Sequence, residues 1–177
     1  MKPKLFEVTN VETLINHIYA PAGMTHSGPI VEDIESAHYS GCRFQLNGRT
    51  IIFRVAKTTP TKLGQFVTLW KRPQPGSAIA PFDEHDAIDF FIVCTSNTTH
   101  HGQFIFDKNI LIKNGVLSSS AHMGKRALRV YPPCSRPLSK EAIRTQKWQS
   151  PYFLPLSKED HADLTLTRQL FKQSEIY

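Results

Sequence analysis

The segment from Cys42 to Phe53 limits the possible folds more than any other part of the chain. Cys42, Phe44 and Leu46 alternate with Arg43 and Gln45, Asn47-Gly48 follows, and Arg49–Lys57 reads as a returning strand. Asn-Gly supplies the positive φ that a type I′ turn needs at both central positions, and the twist of that turn matches two antiparallel strands. A two-residue loop pairs Leu46 with Arg49, so Phe44 faces Ile51 and Cys42 faces Phe53. Cys42, Phe44, Ile51 and Phe53 then share one face, which a core must cover, because a slip of one residue would turn all of them outward. Arg43, Gln45, Thr50, Ile52 and Arg54 fall on the other face. Like charges so close together either find a neutralising partner or fan out into solvent.

The remaining elements follow from spacing and punctuation. Asp89–Cys94 reads as a buried strand and Gln103–Phe106 as another; the polar connection Ser96–Gly102 is too short for a crossover helix, so the pair is expected to be antiparallel. Ala127–Tyr131 forms a further strand, stopped by Pro132-Pro133. A capping box at Thr9–Glu12 opens a helix with Val11, Leu14, Ile15 and Ile18 at helical spacing, and Pro21 stops it. Residues 22–31 read as loop, and a short helix is predicted over Val31–Ala37. Thr59 and Pro60 predict the start of another helix, with Leu63, Phe66, Val67 and Trp70 on one side and Lys62, Gln65, Thr68 and Arg72 on the other. Gly64 costs about 1 kcal/mol relative to Ala inside a helix, which suggests a close approach there by a strand or a phosphate. Asp107 caps a helix over Lys108–Asn114 that Gly115 ends, Ser139 begins one through Gln149, and a box at Ser157–Asp160 precedes a C-terminal helix. The expected architecture is α/β: one domain over residues 1–177, a mixed sheet with flanking helices. A chain of this length can bury about 70% of its unfolded surface.

Charge narrows the function classes. Between Ser36 and Phe82 there is no Asp or Glu, yet Arg43, Arg49, Arg54, Lys57, Lys62, Lys71 and Arg72 are all cations. From Lys108 to Lys147 nine Lys and Arg meet a single acid, Glu141. Such one-sign stretches fit either a merely basic surface or the footprint of a polyanion, since nucleic-acid affinity rests largely on neutralised phosphates. A carboxylate-free stretch also offers no ligands to hard divalent ions. Cys42, Cys94 and Cys134 are odd in number and make no Cys-x-x-Cys pair, so neither a disulfide framework nor a zinc ribbon is expected. The longest apolar run, Phe90–Cys94, is far too short to span a bilayer, and the N-terminus lacks the apolar core of a signal peptide. The expectation is a cytoplasmic protein without cofactor or membrane partner; the oligomeric state stays open.

Five stretches, taken in order, resemble the MepB family of small bacterial proteins: RVAKTTPTKLGQFVTLWKR (Arg54–Arg72), DFFIV (Asp89–Val93), GQFIFDKNIL (Gly102–Leu111), GKRALRVYPP (Gly124–Pro133) and TQKWQSPYF (Thr145–Phe153). The resemblance covers roughly Tyr39–Phe153. It implies a restriction-endonuclease-like core but little about activity, since fold does not fix function. Relatives usually carry an aromatic after the Pro-Pro pair, where this chain has Cys134.

Nucleases of that fold hold their metal with a carboxylate on one strand and an acid-x-Lys on its neighbour. Lys57 stands at a plausible lysine position, but Val55 occupies the place of the acid. Glu35 and Asp89, with Lys57, form the alternative of a metal-dependent nuclease or phosphoesterase. Asp83-Glu84-His85-Asp86 and His100-His101 read as solvated turns before they read as metal sites, and His17 as partly buried packing. No nucleophile elbow and no P-loop spacing occur. The leading expectation is therefore nucleic-acid binding, DNA or RNA, without metal-dependent cleavage. Its contacts would be Arg43, Arg54, Lys57, Lys62, Arg72, Lys125, Arg126, Arg129, Arg144 and Lys147, made mainly to phosphates. Tyr131 and Trp148 could stack on bases, although Trp148 suits the core. A small-anion binder or a protein-interaction module is the third possibility. The nucleic-acid expectation requires cations from the two basic stretches to meet in one concavity.

Overall fold

A computed structural model describes residues 10–157 and 161–172. Along the chain run strands β1 (His26–Glu32), β2 (Cys42–Leu46), β3 (Arg49–Val55), β4 (Lys57–Thr58), β5 (Gln65–Thr68), β6 (Trp70–Lys71), β7 (Ala80–Pro81), β8 (Phe90–Ser96), β9 (His101–Asp107), β10 (Ala127–Val130) and β11 (Phe153–Pro155). The helices are α1 (Val11–Leu14), continued by a π-helical turn to Tyr19, α2 (Lys108–Lys113), α3 (Lys140–Gln149) and α4 (Leu164–Lys172).

The main sheet is mixed, in the order β1-β2-β3-β8-β9-β11. Only β3 and β8 run parallel, with Ile51 opposite Phe90 and Val55 opposite Cys94; the other neighbours are antiparallel. The β2–β3 register is the one the Asn-Gly turn requires, from Leu46 opposite Arg49 to Cys42 opposite Phe53. Asn47 and Gly48 have φ of 50° and 73°, as a type I′ turn needs. β8 and β9 are apolar on both faces because both faces are covered. Phe90, Ile92, Cys94 and Ile105 join a core with the α1 residues, Tyr19, Leu170 and Phe171. Phe91, Val93, Phe104 and Phe106 join a second core on the other side, under Val67, Leu69, Leu128 and Val130. That second core is roofed by a small sheet in the order β10-β5-β4 and by α3.

Two segments differ from the expectation. Residues 59–72 form no helix; after a turn they become β5 and β6. Phe, Val, Thr and Trp favour a pleated, half-buried surface, and Gln65, Val67 and Leu69 are buried while Phe66 and Thr68 are half-exposed. That alternation of period two prevails over an accidental i, i+3, i+4 match. The expected loop over residues 22–31 instead holds most of the edge strand β1, which runs to Glu32 at the start of the expected helix and whose register shifts between Ser27 and Val31. An edge tolerates Pro29 because no ladder hydrogen bond is needed on the solvent side.

Capping agrees in part. Asp107 accepts from the Ile110 amide (2.9 Å) and Ser139 from the Ala142 amide (3.1 Å). At the first helix Asn10 is the cap, accepting from the Thr13 amide at 2.9 Å; Thr9 lies outside the described residues. Lys158–Asp160 of the second predicted box also lie outside them, and Asp163 accepts from the Leu166 amide (2.7 Å) at the start of α4. The short helix expected at Val31–Ala37 is a 3-10 segment at Ile34–Tyr39. Among the described residues no helix is long and apolar enough to cross a membrane.

Candidate nucleic-acid interface

The small sheet sets the geometry of the site. β10 pairs with β5 so that Arg129 stands opposite Phe66 and Ala127 opposite Thr68, while β4 places Lys57 opposite Phe66 from the other side. Leu128, Val130 and Val67 point into the core, and alternation turns Arg129, Phe66 and Lys57 to the outer face as one row. Arg129 is fixed by its surroundings: Nη1 donates to the carbonyls of Leu63 (3.2 Å) and Gly64 (3.5 Å), Nη2 donates to Thr59 Oγ1 (3.1 Å), and the guanidinium lies 5.8 Å from the Phe66 ring centre.

Between β10 and the start of α3 opens a groove of about 440 Å³ lined by Lys62, Lys125, Arg129, Tyr131, Glu141 and Thr145, together with Pro137–Ser139. Lys62 and Lys125 are exposed. The groove therefore gathers one cation from the first basic stretch and two from the second, against the single carboxylate Glu141. Tyr131 is half-buried; burial raises its phenol pKa, the Arg129 charge acts against that and Glu141 with it, so the hydroxyl stays protonated and can donate.

Two residues shape this wall. Gly64 has φ of +74°, and a Cβ there would lie 2.7 Å from the Val130 carbonyl oxygen and 2.8 Å from the Tyr131 ring. The close approach expected at Gly64 is thus made by a strand. Gly64→Ala is expected to destabilise the fold by about 1–3 kcal/mol, combining left-handed backbone strain with overpacking; thermal melting would show the loss. Gln149, fully buried at the end of α3, accepts from the Tyr131 amide (2.9 Å) and donates to the Arg129 carbonyl (3.0 Å). Its amide occupies the outer edge of β10 in place of another strand.

Several expected contacts are engaged elsewhere. Arg54, 1% exposed, donates from Nη2 to Asp33 Oδ2 (2.7 Å) and from Nη1 to the Phe53 carbonyl (2.9 Å), so it is a core residue. Arg72 grips Glu35, with Nη2 2.8 Å from Oε2, and also donates to the Ser77 carbonyl. The same pairing, together with the Arg72 charge, holds the Glu35 carboxyl below its usual range. Arg126 donates from Nε to the Ile79 carbonyl (3.3 Å), and Arg43 is exposed on β2; neither lines the groove. Arg144 and Lys147 are exposed on α3 but lie on a different side of the helix from Glu141, Ala142 and Thr145, which face the groove.

The hydrolytic alternative loses its geometry. Asp89 is locked to the start of β3, its Oδ2 accepting from the Thr50 amide at 2.8 Å, whereas Lys57 follows the far end of that strand. The six residue steps from Arg49 to Val55 place the two ends of the strand roughly 20 Å apart. Asp83 and Asp86 do hold a cation, the chain's own Lys71, with Nζ 2.6 and 2.7 Å from their carboxylates. The hydrogen bond from Lys71 keeps the Asp83 carboxyl below its ordinary range. His100 follows a turn organised by the Asn97 side chain, which accepts from the Thr99 and His100 amides. Burial, with His101 beside it, pulls its pKa down. His17, expected as packing, is exposed with its ring stacked 6.2 Å from that of His161. Trp148, half-buried, packs on Phe106 at 5.3 Å against the second core.

Tyr39 and Phe66 are not among the expected contacts: the i, i+3, i+4 spacing puts Phe66 on a helix face, and no predicted element contains Tyr39. The alternation Gln65-Phe66-Val67-Thr68-Leu69 is the signal that places Phe66 outward.

A family model described as MepB-like matches residues 33–155. The crystal structure of MepB matches with a TM-score of 0.70 at 30% sequence identity, covering 83% of this chain and 97% of that one. Comparison with curated proteins gives no match.

Proposed function

The chain belongs to the MepB-like family, and we propose from the groove that the protein is a cytoplasmic nucleic-acid-binding protein. The observation that carries the proposal is that Lys62, from the acid-free segment, lines the same concavity as Lys125 and Arg129. Cations from separate parts of a chain repel one another, and gathering them is favoured where an anion completes the site. Tyr131 adds a hydroxyl donor and a ring surface in the same groove.

The scaffold fits a restriction-endonuclease-like core used for binding. Lys57 follows β3, but Val55 stands two residues before it, where water activation would need a metal-holding acid. The mixed sheet with its single parallel pair is consistent with such a core.

Fluorescence anisotropy with labelled oligonucleotides across a salt series tests the proposal. Log affinity is expected to fall linearly with log salt, by about 0.7 per phosphate neutralised on a single strand and about 0.9 on a duplex. Lys62→Gln combined with Lys125→Gln should reduce the slope by about 1.4–1.8. A salt-independent signal, or a slope that this double variant leaves unchanged, would reject the groove as a phosphate site.

A further inference from the structure

The outer face of the β10-β5-β4 sheet carries more than charge. Its register aligns Lys57, Phe66 and Arg129 in one row. Tyr39 lies beside that row, its ring centre 6.3 Å from that of Phe66. Lys57 Nζ stands 5.4 Å from the Tyr39 ring centre, and the Arg129 guanidinium 5.8 Å from that of Phe66. Both rings are half-buried, so part of each meets solvent between two cations. Arg129 belongs to both the row and the groove, so the basic groove and the aromatic row meet at that residue.

We infer that the ligand of this surface is single-stranded nucleic acid, with its backbone in the Lys62–Lys125 groove and unstacked bases over the Tyr39–Phe66 pair. This deepens the nucleic-acid proposal above and rests on it. In a duplex the base faces are consumed by stacking, and only phosphates and groove edges remain on the outside, so half-exposed rings between cations have nothing to engage. A single strand offers a free π-face on every base together with the same phosphates, and stacking on aromatic side chains is how such strands are held without sequence preference. The competing explanation is that the rings merely support the stems of Lys57 and Arg129, which would favour neither strand form.

The test uses the full chain and anisotropy with oligo-dT, oligo-U and a hairpin duplex of equal length. Single strands are expected to bind more tightly than the duplex, and the ratio of the two single-strand affinities separates RNA from DNA as the preferred form. Phe66→Leu and Tyr39→Leu keep apolar bulk but remove the π-face. Each should lower single-strand affinity roughly five- to hundredfold; Tyr39→Leu, whose residue does not line the groove, should leave duplex affinity unchanged, and thermal melting checks the folding of both. Lys57→Gln, at an exposed position, is the variant least able to disturb the fold and should reduce the salt slope for single strands only. Duplex affinity equal to or above single-strand affinity overturns the inference and leaves the groove proposal standing, as would folded leucine variants of wild-type affinity. Absence of binding to all three probes defeats both.

Discussion

Asp33→Ala is expected to destabilise the protein by about 3 kcal/mol in urea unfolding at neutral pH, toward the low end of the range for breaking a buried ion pair. Arg54 is 1% exposed and its Nη2 lies 2.7 Å from Asp33 Oδ2. Removing the carboxylate leaves a guanidinium that cannot lose its proton and has little water around it. Burial already depresses the Arg54 pKa, with the charge of Asp33 acting in the opposite direction. The low end applies because the Asp33 side chain is 38% exposed, so water can enter where it stood. Arg54→Met combined with Asp33→Ala should recover much of the loss, since an apolar side chain of similar length needs no partner. If the single and double variants were equally unstable, the pair would not be the source of the effect.

Gln149→Leu should cost about 2–6 kcal/mol, because it orphans two backbone groups, the Tyr131 amide and the Arg129 carbonyl, each worth about 1–3 kcal/mol when left unsatisfied. The side chain has similar volume and sits fully buried, so packing loss is small. Chemical unfolding would give the magnitude, and amide exchange at Tyr131 would locate it. Since Tyr131 and Arg129 line the groove, the variant should also weaken oligonucleotide binding. A change in stability below about 1 kcal/mol would mean that water or a shifted strand replaces the clip.

The site was legible in pieces. The cations Lys62, Lys125 and Arg129 are visible as part of two one-sign stretches, but so are Arg54 and Arg72, which the fold neutralises with Asp33 and Glu35. Nothing near Arg54 in sequence distinguishes it from Lys62, because its partner lies 21 positions away and that of Arg72 lies 37 away. Gln149 likewise reads as an ordinary polar residue ending a helix. Around Phe66 five residues satisfy a helical and a strand period at once, and strand pairing on both sides decides between them.

What the sequence by itself determined is whatever depends on residues a few positions apart: the β2–β3 register, the Asn47-Gly48 turn, the β8–β9 pair, and the caps at Asp107 and Ser139. Backbone dihedral preference and side-chain alternation act over that range and leave little choice. The tertiary structure alone decided which cations remain free, which carboxylates they find, and that Arg129 is shared by a groove and an aromatic row. Those outcomes depend on desolvation and Coulomb contacts between segments brought together only when the sheets close over a common core.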